Sequence, residues 1–143
     1  MRDMKVQLLS KLAKLPKRAN PWDAGADLFT IEGGILKPGE RRLFSTGIAI
    51  ELPDSYVGLV CPRSGSAHSF GISIVNAPGV IDSGYRGEIK VNLINLGQDE
   101  YLIGCGDRIA QLLVHQVSFP NFENSAELSE SARGSNGHGS SGK

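Results

Sequence analysis

Net charge is what this sequence lacks most plainly: fifteen lysines and arginines are balanced by fifteen aspartates and glutamates. A neutral chain has no electrostatic footprint for a nucleic-acid polymer or an anionic membrane, so neither is expected as a partner. Long apolar runs are missing too. The basic stretch "MRDMKVQLLSKLAKLPKR" holds nothing longer than about "VQLL", too short for a signal peptide or a spanning helix. Cysteine is scarce, and Cys61 and Cys105 stand too far apart to suggest metal ligands. Each is flanked by strand-like sequence, so both are expected as reduced core thiols in a cytoplasmic protein. No apolar stripe at helical spacing is long enough for a major helix. No internal repeat is present.

What is there is punctuation. Eighteen glycines and seven prolines are scattered among short apolar runs. These runs are "KVQLL", "GADLFTI", "RLFSTGIAIEL", "VGLVC", "GISIV", "GEIKVNLINL" and "RIAQLLVHQV". Several alternate: Ile48, Ile50 and Leu52 against Ala49 and Glu51, then Ile89, Val91 and Leu93 against Lys90 and Asn92. Period two with frequent turns predicts one compact all-β sandwich or barrel. "RSGSAHSF" predicts one short turn of helix. At Asn121 the pattern stops, which divides the chain into a β domain over 1–120 and a flexible, Ser-rich C-terminal arm over 121–143.

Five stretches carry candidate chemistry. "PGVIDSGYRG" reads as a β-hairpin, with Gly79, Gly84 and Gly87 permitting the turn. It presents a carboxylate, Asp82, beside apolar Val80 and Ile81, and a flat ring with a hydroxyl, Tyr85. Asp82 could equally bond its own backbone in the turn. "CPRSGSA" offers Arg63, a fork for phosphate oxygens, with Ser64 as a further donor; alone it is also an ordinary surface turn. "DAGADLF" holds Asp23 and Asp27 among small residues, and "GDRIAQLLV" sets Gln111 inside an apolar strand. The last, "RGSNGHGSSGK", fits most of the phosphate-cradling pattern G-x-x-x-x-G-K-[ST]. It lacks the preceding strand, the following helix and the final hydroxyl that such a loop requires. By composition it is a disordered Gly/Ser tail. Arg133, His138, Ser140 and Ser141 could nonetheless wrap a nucleotide.

In this order, "DAGADLF", "PRSGSA", "NAPGVIDSGYRGEIKVNLIN", "GDRIAQLLV" and "RGSNGHGSSG" resemble the five motifs of the trimeric dUTPase family, over about Pro21 to Gly142. The resemblance implies a β jelly roll, or β-clip barrel, assembled as a homotrimer whose sites are shared between subunits. It implies hydrolysis of dUTP to dUMP and pyrophosphate by attack of water on the α-phosphorus. That reaction keeps uracil out of DNA and supplies dUMP for dTMP synthesis. Asp82 matches the carboxylate that activates the water, and an ordinary aspartate is ionised at neutral pH and able to act as a base. Tyr85 matches the ring under the deoxyribose. Asn76 and the backbone of Val80, Ile81 and Asp82 match the uracil pocket, and Lys90 also matches a substrate position. Arg63, Ser64, Gly65 and Gln111 match phosphate contacts. Mg²⁺ would be held mainly by the phosphates, with Asp27 touching it through water, so no cage of protein ligands is required.

The resemblance also resolves the tail. Arg133 matches the γ-phosphate arginine, and Gly139, Ser140 and Ser141 match donors to the phosphates. An arm of about a dozen residues from Asn121 reaches ~40 Å when extended, enough to close over a neighbouring subunit. The sequence departs from the family at His138, where a Phe usually stacks on the uracil. Imidazole is flat and can stack, and its charge can change near neutral pH. The related dCTP deaminases need a glutamate where this chain has Asn92, which cannot shuttle protons, so deamination is not expected. A dUTPase-like trimer with an added protein-binding, regulatory role is the remaining alternative.

Overall fold

The alternating runs become antiparallel strands in the computed structural model, which describes residues 3–138. In chain order the elements are β1 (Lys5–Leu8), β2 (Ala26–Phe29), β3 (Gly34–Leu36), β4 (Arg41–Ser45), β5 (Ile48–Glu51) and β6 (Tyr56–Cys61). There follow α1 (Ser64–Phe70), β7 (Ile72–Ile74), β8 (Gly79–Ile81), β9 (Lys90–Asn95), β10 (Tyr101–Ile103) and β11 (Arg108–Gln116). One sheet runs β2-β11-β6-β8 and another β4-β9-β7, while β1-β5 and β3-β10 form two-stranded ladders. The fold is thus the all-β one expected.

The two larger sheets share one apolar core. Leu28, Val60, Ile81 and Leu112 come from the first, and Phe44, Ile72, Val91 and Leu93 from the second. Alternation is kept where it was clearest: Ile89, Val91 and Leu93 are buried, while Lys90 is exposed and Asn92 half-buried. One buried polar residue ties strand ends together. The Asn95 side chain donates to the carbonyls of Leu36 (2.9 Å) and Asp99 (2.8 Å) and accepts from the Gly97 amide (2.8 Å). The expected helix is present as α1. It stops at Gly71, whose left-handed φ of 71° suits glycine.

Several expectations are corrected. "PGVIDSGYRG" is not a β-hairpin. β8 pairs with β6, whereas β9 pairs with β4 and β7, so the segment crosses from one sheet to the other. Tight turns between sheets and hairpin turns draw on the same glycines. Of the three glycines singled out, none is among those with positive φ. Ala49, expected on a polar face, is buried, because β1 covers β5 with Gln7 opposite Ala49. Cys105 is exposed and Cys61 half-buried; both are free, but Cys105 lies in a turn and not in the core. β3 and β10, three residues each, were not foreseen, being too short to show a period. "RLFSTGIAIEL" breaks at Thr46–Gly47 into β4 and β5, which lie in different sheets.

After β11 the Val117 amide donates to the Ser55 carbonyl (2.8 Å). From there to His138 the chain forms no helix or strand and is almost wholly exposed. No described helix is long and apolar enough to cross a membrane.

Candidate active site

The crossing between sheets creates the first cavity. β8 ends at Ile81, and the chain turns at once, the Tyr85 amide donating to the Asp82 carbonyl (3.0 Å). The segment is then latched to the β4–β5 connection. Gly47 donates its amide to Glu88 Oε1 (2.9 Å), the Ile89 amide donates to the Ile48 carbonyl (2.8 Å), and Thr46 Oγ1 donates to the Ile89 carbonyl. Between the parted strands opens a cavity of about 640 Å³, within the usual range for a small-molecule site.

Into it the structure brings Asn76, Val80, Ile81, Asp82, Tyr85 and Lys90 together, with Asn92 and the apolar walls Leu43, Val60 and Ile89. Asp82 is exposed at the rim and takes part in none of the ion pairs among the described residues. The Tyr85 hydroxyl donates to the Glu88 carbonyl (3.0 Å), which fixes the ring. Gly87 lies directly against that ring. A Cβ at Gly87 would collide with the Tyr85 hydroxyl and stand 2.6 Å from its Cζ, so the glycine is demanded by close approach. Lys90 Nζ lies 3.5 Å from Glu88 Oε2.

The second cavity, about 420 Å³, is built from charge. Strand register places its members: Asp27 on β2 stands opposite Gln111 on β11, and Gln111 stands opposite Cys61 at the end of β6. Arg63 follows two residues later as the cap residue of α1, with its side chain free of any capping bond. Its Nε donates to Asp27 Oδ1 (2.9 Å), while Arg108 Nη1 lies 3.5 Å from Asp27 Oδ2. One carboxylate thus holds two guanidinium groups, a trio with net positive charge, while Asp23 elsewhere in the wall balances the lining as a whole. Arg63 is further tied by Nη1 donating to the Arg108 carbonyl (3.4 Å). Gln111 Nε2 donates to the Pro62 carbonyl (2.9 Å), leaving its second N–H free. The amide packs so tightly on Gly25 that a Cβ there would stand 3.0 Å from Gln111 Cδ. Ser64 and Gly65 complete the wall.

The cavities have no lining residue in common. The arm residues line neither: Arg133 is exposed and donates from Nε to the Asn136 carbonyl (2.9 Å), and His138 is exposed with φ 51°. Gly139, Ser140 and Ser141 lie outside the described residues. Sequence reasoning missed Arg108 and Glu88. Arg108 stands in the quoted "GDRIAQLLV", and its signal was a cation at the first residue of a strand that pairs with the Asp27 strand. Glu88 gave no signal, since its role as a latch depends on a contact 41 positions away.

As for the metal, the described residues contain no group of three or more His, Cys, Asp or Glu side chains able to hold one. Asp27 has both oxygens facing arginines. A carboxylate accepts about four hydrogen bonds, so room remains for a water. This donor set fits an ion carried in on phosphates and touched through its water shell.

Comparison with known proteins agrees with these features. Residues 11–142 match the family model described as dUTPase. The deoxyuridine 5'-triphosphate nucleotidohydrolase of Corynebacterium glutamicum is 52% identical over 141 residues, covering 98% of this chain and 95% of the relative. That of Clostridium kluyveri is 46% identical over 140 residues, covering 98% of each chain. Among solved structures, the dUTPase of Staphylococcus bacteriophage 80alpha with dUpNHpp superposes with a TM-score of 0.94 at 32% identity, covering 100% of both chains. A variant dUTPase from phage phi11 of S. aureus, described with a structural Mg(II) ion, gives a TM-score of 0.83 at 29% identity, covering 90% of this chain and 100% of its own. On its fold, on four of the five ordered motifs gathered in two cavities and on these matches, the chain belongs to the dUTPase family.

Proposed function

We propose that the chain is a dUTP diphosphatase that hydrolyses dUTP to dUMP and pyrophosphate, with the first cavity as the base half of its site and the second as the phosphate half. The observation that carries this reading is the first cavity. A fixed tyrosine ring, an exposed unpaired carboxylate and a tight backbone turn converge on a space of nucleoside size. Uracil lies against Asn76 and the backbone of Val80 to Asp82, where main-chain groups imitate a pairing base and leave no room for a thymine methyl. The Tyr85 ring underlies the deoxyribose and excludes a ribose 2'-hydroxyl.

Asp82 takes a proton from a water whose oxygen attacks the α-phosphorus. The bond from that phosphorus to its bridging oxygen breaks, and pyrophosphate leaves with the electron pair. Arg63, Ser64, Gly65 and Gln111 orient the phosphates, and Arg63 is pre-positioned for this by Asp27. Lys90, paired with Glu88, lines the base side as a substrate contact. Mg²⁺, when bound, neutralises phosphate charge, with Asp27 reaching it through water. Arg133, Gly139, Ser140 and Ser141 close over the phosphates from the arm, and the His138 ring stacks on uracil. The two cavities have no lining residue in common, and the family resemblance implies a site completed between copies of the chain, in a homotrimer. The product dUMP feeds dTMP synthesis, and removal of dUTP keeps uracil out of DNA.

Turnover of dUTP, dCTP, dTTP and UTP in parallel tests the reading. Fast release of pyrophosphate from dUTP alone is expected, with no deamination of dCTP, because Asn92 in the cavity wall cannot relay a proton. Comparable turnover of UTP or dTTP would contradict the roles of Tyr85 and the turn.

A further inference from the structure

Trp22 is the single tryptophan of the chain, and it is 96% exposed. It does not sit on a slack segment. Asn20 to Asp23 form a β-turn in which the Asp23 amide donates to the Asn20 carbonyl (3.1 Å), with Pro21 presetting the first corner. The Asp23 carboxylate accepts from the Asn20 amide (2.8 Å) and side chain (3.0 Å), and Arg18 Nε donates to the Asp23 carbonyl (2.8 Å). The turn therefore holds an indole out in water. Ala19, just before this turn, and Asp23, its last residue, both line the phosphate cavity. Trp22 is therefore the immediate chain neighbour of a wall residue of that cavity, and its large apolar ring is left in water.

A second set of apolar side chains also lacks a partner. On the arm, Phe122 is 96% exposed and Leu128 90% exposed. The arm of the same chain, as far as His138, leaves Trp22 bare. If Arg133 is to reach phosphates in the second cavity, the residues just before it must pass over that cavity's mouth. Leu128 is five residues upstream of Arg133, no more than about 17 Å along an extended chain.

We propose that Trp22 is the platform on which the C-terminal arm of a second copy lands when the triphosphate is held, with Leu128 packing against the indole. This rests on the arm's role in the proposed function and adds a docking surface to it. The contact makes closure of the arm dependent on the shape of the cavity's rim as well as on phosphate charge. It also gives the single tryptophan a direct view of closure.

The test is the fluorescence of Trp22 in the full-length protein titrated with dUpNHpp, with binding measured in parallel by calorimetry. A blue-shifted emission and a several-fold fall in acrylamide quenching are expected on saturation. Leu128→Ala should lose most of that change while still binding the analogue. A chain lacking residues 121–143 should show none of it alone. It should regain the change when co-assembled with full-length Trp22→Phe protein, which supplies arms but no indole. Analogue binding with unchanged emission and quenching overturns the proposal, as does a full response in Leu128→Ala or in the truncated chain alone. Absence of analogue binding in calorimetry overturns the reading of the site itself, and the proposal with it.

Discussion

The two cavities are built on opposite principles. The first is made of backbone and apolar walls. Its Tyr85 ring is locked by Glu88 and Gly87, and its one exposed carboxylate, Asp82, is left unpaired. The second is made of charged side chains that already hold each other, Asp27 between Arg63 and Arg108. A base must be recognised by shape, which only a rigid frame supplies. A triphosphate must be met by positive charge that is positioned before the ligand arrives, since the energy of ordering two arginines is then not taken from binding. The arm adds a third style. It forms no helix or strand among its described residues, and the role proposed for it is to close on a ligand.

Damage should therefore differ in kind between regions. The largest effect belongs to the unpaired carboxylate. Asp82→Asn should keep its fold and lower kcat by ~10²–10⁴, the usual loss for a positioned base; near-wild-type turnover in a steady-state assay would remove Asp82 from that role. Next comes the arm. Deleting residues 133–143 should leave the thermal melt unchanged and reduce kcat/KM by about 10²-fold, since it removes an arginine and two hydroxyls at roughly 1.5–3 kcal/mol for a charged contact. Unchanged kcat and KM would return the tail to the status of a slack polar segment.

Smaller still is a steric change in the rigid cavity. Gly87→Ala should push the Tyr85 ring off its seat. The expected result is about a tenfold loss of discrimination against UTP, a difference of ~1.4 kcal/mol between substrates. Unchanged selectivity would mean that the ring does not read the sugar. The smallest effect is expected at His138→Phe. If the imidazole only stacks, phenylalanine should keep kcat/KM within about threefold, being flat and less costly to desolvate. A large loss would show that the imidazole does more than stack.

These contrasts also mark what could be read from sequence. Strands with clear alternation, such as Ile89, Val91 and Leu93, declared their buried face because one side meets the core. β3 and β10 did not, at three residues each. The turn glycines announced a reversal at Asp82 to Tyr85, but not whether the flanking strands rejoin, since pairing partners are set by distant sequence. The Cys105 environment was misread for the same reason: flanking strands do not say on which side of a turn a residue falls. In the site, the members of both cavities were legible because their order along the chain matches a known set. Arg108 was not, because its importance comes from sharing a carboxylate with Arg63, 45 positions away in the contact that joins them. The rigid latch of Glu88 was likewise invisible.

Central to this account is that the two cavities are halves of one site contributed by different copies. Mixing Asp82→Asn with Arg63→Gln, each nearly inactive alone, and letting the subunits reassemble tests it most directly. Sites that pair an intact base half with an intact phosphate half should form, and the mixture should recover a substantial fraction of wild-type dUTP turnover. A mixture no more active than the average of its two parents, although mass measurements show mixed assemblies, would contradict it.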